Sequence, residues 1–334
     1  MVQNVIIKGV GIFHPTRKVE NEFYIEHFKK QGNDITHLLN HLGRKTRFLV
    51  DDENETAITL AVKAAKDALS NAHIKAEDLD MIVFVSDNPH YLSPTNALMI
   101  NHELGAKNAH IVYDMNSNCT GAVTAIDQVS RYLKTNKRIR YALIAGSMFI
   151  TPFARESDPI VYAGAGDAGG CVILENVSGQ KRVGFIDSNY FTDSNYNYTI
   201  VYPQCGLPNV VKNSVDEDKK KLNWTSFDFD FLCDKWAGLI TEMAKRNHVT
   251  IDQIGHYIFS QFSRADIIKT IDKLQVSHDK YTFIADKYGY TGVTSPIFTF
   301  YNALKNGAIK NNSYVVFCSV GAGYTMSSIL YLQP

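Results

Sequence analysis

The sequence has little that would suit a nucleic acid, a membrane or a bound metal. Its 34 basic and 34 acidic side chains cancel, so no basic excess is left to meet a phosphate backbone. It has no run of about 18 apolar residues, so no membrane-spanning helix is expected. The opening MVQNVIIKGVGIF lacks a basic start and a small-residue cleavage site. It reads as a first strand rather than a secretory leader. The cysteines are Cys119, Cys171, Cys205, Cys233 and Cys318, and none form a C-x-x-C pair. Neither a zinc site nor a redox pair is expected, and no cofactor. So sparse and odd a set fits a reduced, cytoplasmic setting. What the chain does have is apolar substance, 45% of 334 residues. That is enough for a full core in two domains or one large duplicated unit.

Short apolar runs alternate with helical patterns. Strands are expected at Val5–Ile12, Asp80–Ser86, His110–Met115 and Tyr141–Gly146. Helices are expected at Glu55–Asn71, Thr95–Leu104 and Thr120–Lys134. This order predicts a mostly parallel sheet covered by helices. The second half repeats the first. The segment His73–Phe84 lies over His248–Phe259 without gaps, at an offset of 175. Leu133-Lys134 and the strand at Tyr141 match Leu304-Lys305 and Tyr314, at offsets of 171 and 173. Three matches in order predict a duplicated α/β unit with its site between the halves, residues 1–180 and 181–334. The stretch from Ser188 to Asn223 reads as an irregular, polar divider.

Cys119 stands out chemically. It follows a strand and the turn Asn116-Ser117-Asn118, and it opens a helix of small residues, Thr120-Gly121-Ala122. Unpaired N–H groups and the helix dipole at such a position favour the thiolate. No general base is visible beside it in sequence. His90, in the loop after a central strand, is a candidate substitute. Gly164-x-Gly166-x-x-Gly169 matches the dinucleotide fingerprint in letters, but a strand rather than a helix is expected after it, so no nucleotide site is read there. The aromatic cluster Tyr190, Phe191, Tyr196, Tyr198 and Tyr202 reads as core or as the lining of a tunnel.

Along nearly its whole length the chain resembles the thiolase superfamily, and within it the β-ketoacyl-acyl-carrier-protein synthase III group. The resemblance rests on the opening strand, Gly43-Arg-Lys-Thr-Arg-Phe48 and Asp114-Met-Asn-Ser-Asn-Cys119-Thr-Gly-Ala. It extends to Gly164-Ala-Gly-Asp167-Ala-Gly169 and Gly321-Ala-Gly-Tyr-Thr325. It implies a five-layered αβαβα fold whose halves are related by a pseudo-twofold axis. It implies a homodimer joined through His110–Met115, with Cys119 as acyl acceptor. The oxyanion hole would be the N–H of Cys119 plus one from the turn at Ala322.

Two departures bear on the reaction. The family's histidine lies in a P-H-Q-A-N turn, and counting places Gln261 there. Its asparagine lies in a G-N-T-S turn, and Tyr290 stands there. Glutamine cannot shuttle a proton near neutral pH, which argues against decarboxylative condensation in its usual form. Transfer of an acyl group through Cys119 needs mainly a thiolate and an oxyanion hole. The family's coenzyme A contacts fall at His37, Pro159 and Phe227, so a carrier-protein thioester is the expected donor rather than free acyl-CoA. Lys219-Lys220-Lys221 and Arg264 are candidates to meet an acidic carrier. The expected function is acyl transfer to a specialised acceptor in secondary metabolism. The alternative is a partner subunit of a larger condensing complex containing a second thiolase-fold chain.

Overall fold

The computed structural model describes residues 1–334. Nine strands form the main sheet: β1 (Val2–Phe13), β2 (Met81–Val85), β3 (Ile111–Met115), β4 (Tyr141–Met148), β5 (Ala168–Gly179), β6 (Gly184–Thr192), β7 (Ile254–Phe259), β8 (Tyr314–Gly321) and β9 (Thr325–Leu332). Their order is β7-β8-β9-β6-β1-β5-β4-β2-β3. The N-terminal half supplies β1 to β5 and the C-terminal half β6 to β9. Within the sheet the two halves are joined where β1 pairs with β6, at Val5↔Gly184.

The covering helices are α1 (Ala57–Ala72), α2 (Asn96–Leu104), α3 (Gly121–Thr135), α4 (Leu232–Arg246), α5 (Arg264–Lys273) and α6 (Ser295–Lys305). The apolar clusters show the layering. One joins α1 and α2 to the outer face of the first half-sheet, through Ala61, Ala65, Ile100 and Leu143. A second joins α4 and α5 to the second half-sheet, through Trp236, Ile240, Ile271 and Val316. The largest lies between, where Val123, Val129, Ile297 and Phe300 of α3 and α6 meet strands of both halves. This gives helix, sheet, helix, sheet, helix: five layers. α3 and α6 are covered on both sides, as expected of helices with apolar residues over much of their circumference.

The duplication seen in sequence extends to the backbone. His73 closes α1 in a left-handed conformation at φ 55, and its repeat mate His248 has φ 56. A 3₁₀ turn follows each, at Ala76–Asp78 and Ile251–Gln253. β4 and β8 are equal in length and 173 residues apart. The halves differ at the sheet edges. β3 pairs with β2 over five residues, whereas its counterpart is reduced to one bridge, Tyr257↔Tyr281. The divider expected from Ser188 begins late, because Ser188–Thr192 belongs to β6 and pairs with β9. Burial alternates along that segment, as in a half-covered strand. Gly164–Gly169 leads into β5 as expected. Its Asp167 is 1% exposed and accepts from the N–H groups of Val50, Ile150 and Thr151, a structural role.

Candidate active site

Cys119 sits two residues before α3, in a turn held from both halves of the chain. Asn118 has a positive φ of 50 and donates through Nδ2 to Ala322 O at 2.8 Å. Ser319 Oγ donates to Cys119 O at 3.0 Å. Thr120 Oγ1 donates to Ser117 O at 2.6 Å. The motif's Asp114 works further off, accepting from Asn96 and Ala97 N–H to cap the start of α2. The N–H groups of Cys119 and Ala322 donate to no protein group, so both donors stay free for a ligand oxygen.

The sulfur faces a chamber lined mostly by apolar side chains. Cys119, Tyr290 and Ala322 all reach it. Tyr290 stands where the sequence places it. Its hydroxyl meets Ser260 Oγ at 3.3 Å and lies within hydrogen-bonding reach of the Cys119 sulfur. Tyr290 N donates to Gly164 O, and Gly166 N to Tyr290 O, so the turn is stitched to the first half.

Gln261 requires a correction. It is fully buried and turned away from the chamber. Nε2 donates to Phe259 O at 3.0 Å and Thr282 O at 3.2 Å, and Oε1 accepts from Ile284 N at 2.8 Å. Neighbouring side chains at a strand end alternate faces. Ser260, one residue earlier, therefore points toward Tyr290. The P-H-Q-A-N turn thus fits one residue back, with Ser260 at the histidine and Gln261 at the motif's own glutamine.

Sequence reasoning missed Asp87. The loop after β2 was singled out for His90, but that ring is on the surface, against Tyr91. Three residues earlier, Asp87 Oδ2 accepts from the Cys119 thiol at 3.7 Å. Its flanking residues fix it in place: Ser86 Oγ donates to Ser147 O, and Asn88 Nδ2 to Phe149 O. Burial raises the Asp87 carboxyl above the usual range. Burial and the Asp87 charge together push the Cys119 thiol well up, against a lowering contribution from Tyr290. The expectation of a dipole-stabilised thiolate is therefore corrected. Desolvation, with the neighbouring Asp87 charge, outweighs the helix dipole and raises the thiol.

The chamber is part of a longer passage. Outward it shares Ile160, Trp224, Phe227, Phe229 and Phe262 with a mouth that also holds His41, Asp230, Asp266 and Lys269. Trp224 and Phe262 stack across this neck at 5.0 Å and 9°. On its other side it shares Asp87, Met148, Ile150, Ile200, Leu222 and Ala322 with a rear compartment that opens past Asn116 and Tyr202. Arg44 braces the wall: Nε donates to Gly164 O at 2.9 Å, Nη1 to Leu42 O at 2.8 Å and Nη2 to Phe262 O at 2.6 Å. Burial and nearby Arg47 lower its pKa to about 9. Of the aromatic cluster, only Tyr202 reaches a cavity. Tyr190 donates to Asp127, Tyr196 packs on Phe231, and Tyr198 is exposed. Of the adenine and pantetheine positions, Phe227 lies in the neck while His37 is on the surface. Lys220 and Lys221 pair with Glu217 and Asp218 of their own turn.

Comparison with known proteins gives the same assignment. Residues 113–194 match the family described as 3-Oxoacyl-[acyl-carrier-protein (ACP)] synthase III, and residues 244–332 match its C-terminal part. The chain belongs to the synthase III family of the thiolase superfamily. A β-ketoacyl-[acyl-carrier-protein] synthase III of Wolbachia pipientis wMel is 28% identical over 84% of this chain and 85% of that protein. One from Koribacter versatilis is 26% identical over 98% of each. The Thermus thermophilus synthase III structure superposes with a TM-score of 0.86 at 20% identity, over 98% of this chain and 99% of that one. The priming β-ketosynthase of the R1128 polyketide pathway reaches 0.86 at 18%, over 99% and 96%. The curated relatives are named as synthases, which supports an enzyme of the thiolase superfamily. The chamber is lined by Cys119 and Tyr290 and by no histidine, and Ser260 meets the Tyr290 hydroxyl from behind.

Proposed function

We propose that this synthase III relative is an acyltransferase that carries its acyl group as a thioester on Cys119 and delivers it to an acceptor other than malonyl carrier protein. The observation that supports it best is the composition of the chamber. It keeps the nucleophile and two free backbone donors, yet holds no imidazole. The donor thioester would enter at the mouth and thread its arm through the Trp224–Phe262 neck. The thiolate of Cys119 attacks the thioester carbonyl, and the oxyanion rests on the N–H groups of Cys119 and Ala322. Such a hole is worth about 3–4 kcal/mol per donor. His37, on the surface, and Pro159 stand at the positions of the family's adenine clamp and supply no aromatic–guanidinium sandwich, which favours a carrier-protein-held donor over free coenzyme A. The same departures from the condensing pattern favour a specialised, secondary pathway in the cytoplasm.

We also propose a homodimer through β3. Its five residues are all half-buried, and it is the free edge of the sheet. The second reading, a helper subunit of a larger complex, draws on the missing imidazole. The test is intact mass after incubation with acyl thioesters. An added acyl group on the wild type that is absent in Cys119→Ala supports the transferase. No adduct alone, together with co-purification of a second thiolase-fold chain, favours the helper subunit.

A further inference from the structure

Cys119 is a thiol without a histidine, so something else must move its proton. Asp87 is the one carboxyl at hydrogen-bond distance from it. Asp87 also borders the rear compartment, which the sulfur does not. The two cavities differ in kind. The chamber is apolar. The rear compartment is lined in part by Asn88, Asn116, Asn118 and Tyr202. Asn88 is committed to Phe149 and Ser86. Asn116 uses Oδ1 on Asn118 N and Asn118 uses Nδ2 on Ala322 O. That leaves Asn116 Nδ2, Asn118 Oδ1 and the Tyr202 hydroxyl to meet a guest. Asn116 and Tyr202 are exposed and Asn118 is half-buried, so the compartment opens to the surface and these unpaired groups can meet a guest entering from outside.

We propose that the rear compartment is the acceptor site, that it takes a small molecule bearing a hydroxyl or amino nucleophile, and that Asp87 is the proton carrier for both half-reactions. This rests on the acyl-Cys119 reading above. In the first half, the Asp87 carboxylate takes the thiol proton while Cys119 Sγ bonds to the acyl carbon. The donor's carbon–sulfur bond breaks, and Asp87 hands the proton to the departing thiolate. In the second half, the acceptor's O–H or N–H proton passes to Asp87 as its oxygen or nitrogen bonds to the acyl carbon. The Sγ–carbon bond then breaks, and the proton returns to the sulfur at 3.7 Å. The balance is thioester plus acceptor giving ester or amide plus free thiol, with no oxidant or reductant. A carboxyl raised by burial lies closer to neutrality than a solvated one, which suits a group that must both take and give. Condensation onto a malonyl carbon needs a donor at an enolate oxygen. Acyl transfer to oxygen or nitrogen needs a base beside the thioester, and that is what this loop supplies.

The test uses the full chain acylated with a short acyl thioester and freed of excess donor. Glycerol, ethanolamine and propane-1,3-diol serve as probes, and acyl-enzyme decay and product are followed by mass. Saturable acceleration by at least one probe is expected, with its ester or amide formed. Asp87→Asn should slow acylation and decay by about 10²–10⁴-fold and flatten the acid limb of both pH profiles. Tyr202→Trp, which fills the compartment, should raise the probe's KM and lose more in decay than in the acylation burst. Acyl-enzyme that forms at wild-type rate in Asp87→Asn overturns the proton-carrier role. Acyl-enzyme that no probe discharges saturably, or that Tyr202→Trp discharges as the wild type does, overturns the acceptor site. Absence of any Cys119 adduct in the wild type would instead sink the transferase reading itself.

Discussion

Replacing Gln261 by leucine separates a structural role from a catalytic one. The two side chains are close in volume, so the change is chiefly the loss of three bonds, at 3.0, 3.2 and 2.8 Å. Each leaves a backbone group of Phe259, Thr282 or Ile284 without its partner in a site closed to water. A stranded buried polar group costs about 1–3 kcal/mol. The Ile284 N–H is the most exposed to this penalty, having one hydrogen to give. A total of about 3–5 kcal/mol is expected. At roughly 2.1 cal/mol/K per residue the unfolding entropy of the chain is about 0.7 kcal/mol/K, so the melting temperature should drop by about 4–7 °C. Acylation of Cys119, measured by intact mass well below the melt, should stay within about threefold. Tyr290→Phe should do the reverse. It keeps the ring and loses a hydroxyl that supports the thiolate, worth about 1.5–3 kcal/mol, so acylation slows by about 10–100-fold with little change in melting. A Gln261→Leu protein that melts normally yet fails to acylate would refute the side-chain orientation argued above.

Other outcomes follow from the same geometry. A methyl added at Gly321 would lie 3.0 Å from Asn118 Cβ and 3.2 Å from Cys119 N; Gly321→Ala should cut acylation about tenfold or more through a displaced oxyanion donor, measured as a burst rate. His256 is buried neutral against Thr282 Oγ1, its pKa lowered by burial to about 4. The unfolded chain takes up a proton near pH 6.5 that the folded chain refuses. This contribution is therefore whole above that pH and lost as pH falls toward 4, up to about 3 kcal/mol. Melting curves between pH 7 and 4.5 should steepen this way in wild type and less in His256→Asn. Malonyl carrier protein should yield little carbon dioxide in a release assay, and turnover near 1 per second would contradict the role given to Ser260 and Tyr290. Light scattering should return about twice the 37.5 kDa chain mass, and a monomer across a dilution series would remove β3 as an interface.

Much of this was legible in the letters because periodicity reports burial. The alternation of strands and helices, the repeat and the strand–turn–helix around Cys119 are local patterns that the fold keeps, but the sheet is mixed rather than mostly parallel: β1–β5, β5–β4, β8–β9 and β9–β6 pair antiparallel, a partner direction that periodicity does not encode. The repeat even carried the left-handed His73 and His248, invisible as such in sequence. What was not legible depended on side-chain direction and on distance across the fold. Counting along P-H-Q-A-N put Gln261 in the chamber, but a slip of one residue at a strand end exchanges faces. Asp87 lies 32 positions from Cys119, with no motif to join them. Its one signal was the loop it shares with His90, after a central strand, where sites often form. The raised thiol pKa was likewise hidden, since position near a helix start is visible in sequence and desolvation is not.

The seat of Cys119 is finished by residues that come 200 positions later. Ser319, Gly321 and Ala322 hold the turn from behind, and they lie within the final strand pair. The chain through Ala322 must therefore be in place before the cysteine has its setting. A piece that stops short of it carries the thiol but neither the second backbone donor nor the turn that orients the first. For the same reason the two halves, though copies of one unit in shape, could not part company and leave an active fragment.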